Sequence, residues 1–472
     1  MTDLLDHFDA AVARHPERVA IVDGTGRDVT YQELRNLSNA LAETWRAKGI
    51  KAGDRVLLAM GVNIELYASL AALWSLGATV VLPEPAMGLS GLRHAVKVTK
   101  PKAFCASGAY CLLKLLLPGL WGTPVLRPKA TSAAPKVNNR VKNEVALISF
   151  TSGTTGAPKA IPRGHFFLMA QYDAVAPILE SAGEERDLVC FPVFTLVNLA
   201  AGRATILPSW KMSRLAKLTP ARLGDWLRKT RATRALLPPS LAALLPQAGK
   251  TDLRHVFTGG GPVFPQLVNQ LQNEQGFDVT CVYGSTEAEP IAHLQGDEIG
   301  AEDMAEMAAG AGLLVGHPVP EVRLRIRAGE IEVTGDHVNK SYLDPAQTRD
   351  NKVIKGGDVW HRTGDAGRLD DQGRLWLWGR VGDEVLGTQG PIHPFAVEVA
   401  AQGWPGISRC ALMEKSGEPI LAIEGTAAHL PTWKAHAEAF GVDRIEVISA
   451  LPMDARHGSK IDRVKLAEML KG

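Results

Sequence analysis

Residues 148–161 read ISFTSGTTGAPKAI and are the most informative segment of this 472-residue chain. A short apolar strand, residues 145–150, is predicted to run into a loop of Gly, Thr and Ser that ends at Lys159. Small residues let backbone N–H groups close around phosphate oxygens, and the hydroxyls and the lysine add donors and positive charge. The pattern GxxxxGK[ST] is absent because Ala and Pro separate Gly156 from the lysine, which excludes a Walker-A loop. Taken alone, the segment is equally compatible with a plain surface turn.

Strand-like and helical patterns alternate on both sides of this loop. DRVLLAM (54–60), IELYASLAALWSL (64–76) and ATVVL (78–82) form one such series, and PQLVNQLQNEQG (265–276) with DVTCVYG (278–284) forms another. This alternation predicts an α/β fold of βαβ units with a largely parallel sheet.

Beyond about Gly312 the pattern changes to hairpins, VRLRIRAGEIEVTG (322–335) and GRLDDQGRLWLWGR (367–380). We place a boundary just after Arg380. The prediction is therefore a large N-terminal domain, residues 1–380, and a small α+β domain, residues 381–472, that ends in a helix from Ile461.

The composition indicates a globular protein and excludes several classes. Lys and Arg total 52 against 50 Asp and Glu. The chain therefore lacks the excess of basic residues that is typical of nucleic-acid-binding proteins. Five cysteines without a CxxC pair argue against disulfides or structural zinc and favour a reducing, cytoplasmic location. The N-terminus has no signal-peptide pattern, and the uncharged, strongly apolar stretch at residues 66–82 is too short for a membrane span.

Seven motifs occur in a fixed order along nearly the whole chain: VTYQEL (29–34), TSGTTGAPK (151–159), TGGGP (258–262), YGSTE (283–287), RTGD (362–365), LWLWGR (375–380) and SKIDRVKL (459–466). Together they resemble the signature of the adenylate-forming superfamily, which contains acyl-CoA synthetases, luciferases and nonribosomal-peptide adenylation domains. The resemblance implies a large N-terminal domain with a mobile C-terminal lid, and use of ATP and Mg²⁺ to activate a small carboxylic acid.

The resemblance also implies roles for individual residues. Tyr283 would stack on adenine, Asp365 would accept hydrogen bonds from the ribose hydroxyls with Arg380 nearby, and Glu287 would hold Mg²⁺. Lys460 would stabilise charge that develops when the carboxylate attacks the α-phosphate. The other residues implied in binding the nucleotide or the reacting groups are Thr151, Ser152, Gly153, Thr154, Thr155, Gly156, Lys159, Gly259, Gly260, Gly261, Pro262, Gly284, Ser285 and, at the reacting carboxylate, Thr286.

Several positions depart from the usual motifs. Ser459 precedes Lys460 where glycine is usual, Gly382 occupies a hinge position that is usually acidic, and the loop after Arg380 is one residue longer. FPVFTLVNLAAG (191–202) lacks a histidine that many acyl-CoA synthetases carry there. Together with TEAEP (286–290), WHRTGD (360–365) and DARHGSKI (454–461), these departures resemble the olefin-pathway β-lactone synthetases, a branch of the same superfamily.

Three functions therefore stay open. The chain transfers the acyl group from acyl-AMP to a thiol, of CoA or of a carrier protein; it cyclises a β-hydroxy acid to a β-lactone; or it binds adenylates without catalysis. Retention of Glu287 and Lys460 disfavours the last. Phe191, Phe194 and Leu196 are candidates for the acyl pocket, and ordinary core packing explains each equally well.

Overall fold

The computed structural model describes residues 2–84, 87–129, 143–151, 158–387, 390–454 and 458–471. The helices are α1 (Leu4–Arg14), α2 (Tyr31–Ala47), α3 (Ile64–Ser75), α4 (Gly88–Thr99), α5 (Leu113–Leu116), α6 (His165–Val175), α7 (Pro192–Ala201), α8 (Pro220–Thr230), α9 (Pro239–Ala242), α10 (Pro265–Asn269), α11 (Ala301–Ala308), α12 (Pro345–Asn351), α13 (Pro394–Ala401), α14 (Leu430–Glu438) and α15 (Arg463–Lys471).

The strands are β1 (Val19–Val22), β2 (Asp28–Thr30), β3 (Arg55–Ala59), β4 (Thr79–Leu82), β5 (Ala103–Ala106), β6 (Val125–Leu126), β7 (Val145–Thr151), β8 (Lys159–Gly164), β9 (Arg186–Val189), β10 (Ala204–Ile206), β11 (Arg234–Leu237), β12 (His255–Gly259), β13 (Asp278–Ser285), β14 (Ala288–Gln295), β15 (Leu313–Pro318), β16 (Arg323–Arg327), β17 (Glu330–Thr334), β18 (Lys352–Lys355), β19 (Asp358–Leu369), β20 (Leu375–Arg380), β21 (Val385–Gly387), β22 (Gly390–Ile392), β23 (Ile407–Lys415), β24 (Glu418–Gly425) and β25 (Arg444–Ile448).

Two large sheets organise the first 380 residues. One has the order β6-β5-β3-β4-β7-β8, and the other runs β16-β17-β19-β20-β15-β14-β13-β12-β11-β9-β10-β1-β2, with β18 pairing beside β19. The segments that alternate with helices pair in parallel, such as β3 with β4 and β12 with β13. Both predicted hairpins form, as the antiparallel pairs β16–β17 and β19–β20. The α/β prediction is confirmed.

Beyond Arg380 the chain builds a smaller α+β unit. Its three-stranded sheet, β23-β24-β25, carries α13 and α14 on one core and α15 on another. The last helix begins at Arg463 rather than at Ile461 because the Asp462 carboxylate accepts a hydrogen bond from the backbone N–H of Lys465.

The first motif, VTYQEL, acts locally as a helix start. The Thr30 hydroxyl accepts from the Glu33 backbone N–H at 3.1 Å, and the Glu33 carboxylate accepts from the Thr30 N–H at 2.8 Å. This capping box satisfies two donors at the beginning of α2. Tyr31 is fully buried and donates to the Arg203 carbonyl at 3.0 Å, which ties α2 to the strand β10 region. Over the described ranges, the chain forms no helix of the length and apolarity that crossing a bilayer requires.

Candidate active site

The glycine run after β12 lies beside the end of β13. Gly259 pairs with Val282 in the parallel register, and a side-chain carbon at Gly259 would lie only 2.3 Å from the Val282 carbonyl oxygen. Gly260 takes a φ of +75°, which other residues adopt only with strain. Because ligands of α/β sheets bind beyond the carboxyl ends of strands, residues 259–262 and 283–287 border a natural binding crevice.

Asp365 lies between two of the predicted nucleotide residues. Its carboxylate accepts from the Tyr283 hydroxyl at 2.7 Å and from the Arg380 guanidinium at 2.9 Å. The antiparallel register of β19 and β20 pairs Asp365 with Arg380, so the hairpin joins the RTGD and LWLWGR motifs. Burial and the neighbouring Asp365 carboxylate hold the pKa of Tyr283 well above its usual value. Tyr283 therefore stays a hydroxyl donor, and Asp365 is a fixed acceptor.

Glu287 lies at the turn between β13 and β14. Its carboxylate accepts from the Tyr342 hydroxyl at 3.1 Å, and its backbone carbonyl accepts from the Asn339 N–H at 2.7 Å. Thr286 is held from the other side, since the buried Arg163 guanidinium donates to the Thr286 carbonyl at 2.6 Å. Both predicted residues therefore have a fixed backbone, and neither Tyr342 nor Arg163 belongs to a motif from which the sequence indicated such a role.

Lys159 and Thr151 face each other in the register of β7 and β8. The Lys159 ammonium donates to the Asn351 side-chain oxygen at 2.7 Å and lies 5.4 Å from the centre of the Tyr342 ring. The Thr151 and Ser285 hydroxyls are buried, and neither has a hydrogen-bond partner among the described residues. Buried donors of this kind require a partner, which a phosphate oxygen would supply. The predicted loop residues Ser152, Gly153, Thr154, Thr155 and Gly156 lie outside the described residues.

A second lysine, which the sequence motifs did not indicate, is buried near Glu287. Lys352 is only 7% exposed, donates to the Asn339 carbonyl and lies 5.1 Å from the centre of the Tyr342 ring. Burial lowers the pKa of Lys352 to about 7, against the opposing field of Glu287. Burial and the charge of Lys352 also hold the pKa of His361 well below its usual value. No motif marks Lys352, because it reaches the site only through the pairing of β18 with β19.

The loop that carries Lys460 rests on the glycine run. The Ser459 hydroxyl lies 3.2 Å from the Ser240 hydroxyl and accepts from the Ser240 backbone N–H at 3.3 Å. A side-chain carbon on Gly261 would lie 2.6 Å from the Ser459 Cβ. The Asp454 carboxylate accepts from the backbone N–H groups of Ser459 and Lys460, each at 2.8 Å, which shapes the loop. Lys460 itself is exposed beside the crevice.

An apolar pocket opens next to these strand ends. Phe191 and Phe194 line it, together with Gly259, Gly260 and Gly284. Leu196, the third pocket candidate, packs instead in the core with α1 and α3. The helical period of α7 turns its side chain away from that of Phe194. The sequence left ordinary core packing open for this residue.

The donor set fits a magnesium ion that arrives with nucleotide. Among the described residues, no cluster of three or more His, Cys, Asp or Glu could hold a metal ion. Mg²⁺ is commonly bound by one or two carboxylates and substrate phosphates. Glu287 offers one such carboxylate next to the crevice, and the Tyr342 hydroxyl is bonded to one of its two oxygens.

Comparison with known proteins agrees with these motifs. A family model described as "AMP-binding enzyme" matches residues 8–343. An olefin beta-lactone synthetase of Stenotrophomonas maltophilia (strain K279a) is 28% identical over 97% of this chain and 95% of its own length. A 2-succinylbenzoate–CoA ligase of Geobacillus kaustophilus (strain HTA426) is 29% identical over 84% of this chain and 81% of its own.

The fold is also that of a solved relative. The o-succinylbenzoate CoA synthetase from Bacillus subtilis, solved with its acyl-adenylate intermediate, superposes with a TM-score of 0.80, at 19% identity, over 99% of this chain and 98% of its own. The resemblance drawn from the seven motifs is thus confirmed: the chain belongs to the AMP-binding enzyme family, whose members form adenylates.

Proposed function

We propose that this chain activates a small carboxylic acid with ATP, forming acyl-AMP and releasing pyrophosphate. The observation that carries the proposal is the seating of the Lys460 loop, through Ser459, on Gly261 and Ser240. That contact sets a lysine from the end of the chain beside the crevice bordered by Tyr283 and Glu287. The family's use of ATP supports the same step.

In this reaction a carboxylate oxygen of the acid attacks the α-phosphorus, and the bond from that phosphorus to the pyrophosphate oxygen breaks. Lys460 neutralises the charge that develops on the α-phosphate, and the backbone of Thr286 orients the carboxylate. Asp365 accepts from the ribose hydroxyls while Tyr283 and Arg380 hold it in place. Thr151, Lys159 and the loop between them bind the β- and γ-phosphates.

Mg²⁺, held by Glu287 and the nucleotide phosphates, would supply charge neutralisation for the departing pyrophosphate. Phe191 and Phe194 supply an apolar wall for the acyl chain. Gly259, Gly260, Gly261 and Pro262 border the adenine side of the nucleotide, and Gly284 and Ser285 follow Tyr283 in the motif that contacts the nucleotide.

We assign residues 1–380 to the nucleotide-binding domain and residues 381–472 to a lid that rotates after adenylation. Gly382, at the junction, has a φ of +87°, and a side-chain carbon there would meet nothing within 4 Å. Glycine permits the large backbone change that a hinge needs. In the second half-reaction the lid would carry Lys460 away from the crevice.

Transfer of the acyl group to a thiol, of CoA or of a carrier protein, is the first candidate for the fate of acyl-AMP. In that step the sulfur attacks the acyl carbon and AMP leaves. The relative named 2-succinylbenzoate–CoA ligase supports this candidate.

Cyclisation to a β-lactone is the second candidate, in which the acid's own β-hydroxyl attacks the acyl carbon, loses its proton and displaces AMP. A separate observation favours it. The relative named olefin beta-lactone synthetase aligns over 97% of the chain, against 84% for the ligase, and the divergent DARHGSKI segment resembles that branch.

One product assay separates these candidates. Purified protein is incubated with MgATP and a panel of simple and 3-hydroxy carboxylic acids, with and without CoA, and the products are identified by mass. AMP with a cyclised, dehydrated acid in the absence of CoA establishes the lactone. AMP and a thioester that form only with CoA establish the ligase. If no acid stimulates AMP or pyrophosphate formation, the proposal fails.

A further inference from the structure

One stretch of the chain departs sharply from its overall charge balance. Residues 85–143 contain ten Lys and Arg and no Asp or Glu, whereas the rest of the chain has 42 basic and 50 acidic residues. Arg93, Lys97, Lys100, Arg127 and Lys129 in this stretch are exposed. The described part of this stretch, residues 87–129 and 143, has seven Lys and Arg and no acidic side chain, which gives its surface a positive potential.

The same stretch exposes an apolar cluster. Fourteen large hydrophobic side chains are exposed among the described residues, and five of them lie within residues 110–121. We call these five the leucine patch; their exposed fractions run from 40% to 71%, and they are Tyr110, Leu112, Leu115, Leu116 and Trp121.

The local helical turn explains why these side chains face outwards. Residues 108–116 form a 3₁₀ turn followed by α5, which places Leu112, Leu115 and Leu116 on one face. Leu117 and Leu120 turn the other way and are buried against the six-stranded sheet. The segment is apolar on both sides, and only one side has a core to pack against.

Basic residues lie on the elements that contact the segment carrying the leucine patch. Helix α4 packs on the segment after α5, where a side-chain carbon on Gly119 would lie 2.7 Å from Val96. Arg93 and Lys97 lie one turn apart on α4, Lys100 directly follows the helix, and all three side chains are exposed. From the other side, Arg127 donates a hydrogen bond to the Cys111 sulfur within the 3₁₀ turn.

We propose that the leucine patch and its basic border dock this protein on the surface of an anionic lipid bilayer. Leucine and tryptophan side chains enter the boundary between head groups and acyl chains, while surrounding Lys and Arg attract anionic lipids. The long stems of the lysines lie along the apolar surface and carry their charges to the head groups. The chain rests on the bilayer without crossing it.

A second copy of this chain is a poorer occupant of the patch. Self-association through one patch is commonly two-fold symmetric, so it would bring the two basic borders together. Like charges that face each other across an interface oppose association. An anionic lipid surface has the complementary sign.

Vesicle sedimentation tests the proposal. The full-length protein is mixed with vesicles of phosphatidylglycerol and phosphatidylcholine, or of phosphatidylcholine alone, at low and high salt. We expect binding to the anionic vesicles that weakens with salt and is much weaker on the neutral vesicles. The triple variant Leu112→Ser/Leu115→Ser/Leu116→Ser should bind the anionic vesicles about tenfold more weakly or worse.

A second variant and a matched control keep the test independent of folding. Arg93→Gln/Lys97→Gln/Lys100→Gln changes only exposed side chains, two on α4 and one just after it, and should also reduce binding and its salt dependence. The control Ile354→Ser/Val447→Ser removes two exposed apolar side chains elsewhere and should bind as the unmodified protein does. The proposal is overturned if the unmodified protein ignores anionic vesicles, if both variants bind like it, or if the patch variants lose only self-association in analytical ultracentrifugation.

Discussion

At the scale of residues, two tyrosine hydroxyls hold the two carboxylates on which the proposed chemistry depends. Tyr283 donates to Asp365, the proposed ribose ligand, and Tyr342 donates to Glu287, the proposed metal ligand. The motifs identified both carboxylates and Tyr283 from the sequence. Tyr342 could not be identified in this way, because it reaches Glu287 through the path of the chain between β17 and α12 rather than through a motif.

Each hydroxyl can be removed separately by the same substitution, Tyr to Phe, which keeps the aromatic ring. Tyr283→Phe keeps the ring and should raise the KM for ATP about tenfold, the order of one hydrogen bond to a charged group. Tyr342→Phe should leave that KM near its original value and raise the Mg²⁺ concentration needed for half-maximal rate. Steady-state kinetics with ATP and Mg²⁺ varied separately measure both. If the two variants show the same pattern, the division of roles between Asp365 and Glu287 is wrong.

The buried Lys352 predicts a pH dependence of stability. Its pKa of about 7 in the folded protein lies below the ordinary lysine value of about 10.4 in the unfolded chain. Between these values the unfolded chain binds a proton that the folded protein does not, so this residue makes the free energy of unfolding rise as the pH increases.

Lys352→Met should therefore gain less stability than the unmodified protein between about pH 6 and about pH 9. Chemical denaturation without nucleotide, at each pH, gives the free energy of unfolding of both proteins. The change in this free energy between the two pH values is then compared. Lys465→Met, at an exposed lysine, is the control and should follow the unmodified protein. Equal pH dependence in all three proteins would mean that Lys352 keeps an ordinary pKa.

At the scale of elements, the glycine run at the end of β12 contacts the loop before α15, and this contact brings the two parts of the proposed site together. The sequence indicated both segments separately from their motifs. It did not indicate that Ser459, at a position where glycine is usual, would lie against Gly261 and Ser240, because that contact joins segments far apart in the chain. The helical period likewise identified α7 but did not separate Phe194, in the pocket, from Leu196, in the core.

Gly261→Ala should prevent this seating. The added methyl group would lie 2.6 Å from the Ser459 Cβ, so the loop must move. A displacement of about 1 Å can cost on the order of 10²-fold in rate, and we expect a loss of adenylation of that order, larger than any loss of ATP binding. Gly61→Ala, where an added carbon meets nothing within 4 Å, is the control. Pyrophosphate release and nucleotide binding by calorimetry measure the two effects; normal release by Gly261→Ala would contradict the seating.

At the scale of the whole molecule, adenylation and the later step are proposed to need different positions of residues 381–472. The change from βαβ units to hairpins, with the RTGD and Arg380 motifs, let the sequence indicate the α/β architecture and a boundary near Arg380. The sequence pattern did not indicate where residues 381–472 lie relative to the rest of the chain. That position depends on contacts between distant segments, such as Ser240 with Ser459.

A reversible cross-link tests the lid. The Ser240 and Ser459 hydroxyls are 3.2 Å apart, so Ser240→Cys/Ser459→Cys brings two thiols close together for oxidation. The oxidised protein should form one equivalent of acyl-AMP and then stop if the second step needs rotation, and reduction should restore turnover. The single variant Ser240→Cys should respond to neither treatment. Full turnover by the oxidised double variant would show that both steps use one lid position.

The central claim is that this chain forms acyl-AMP through Lys460, and carboxylate-dependent exchange of pyrophosphate into ATP tests it most directly. With an acid that the protein accepts, the unmodified protein and Lys465→Ala should exchange at the same rate. Lys460→Ala should lose about 10²–10³-fold in exchange while it still binds ATP, as expected when one preorganised charge contact is removed. Equal exchange by Lys460→Ala, or exchange that needs no acid, would contradict the account.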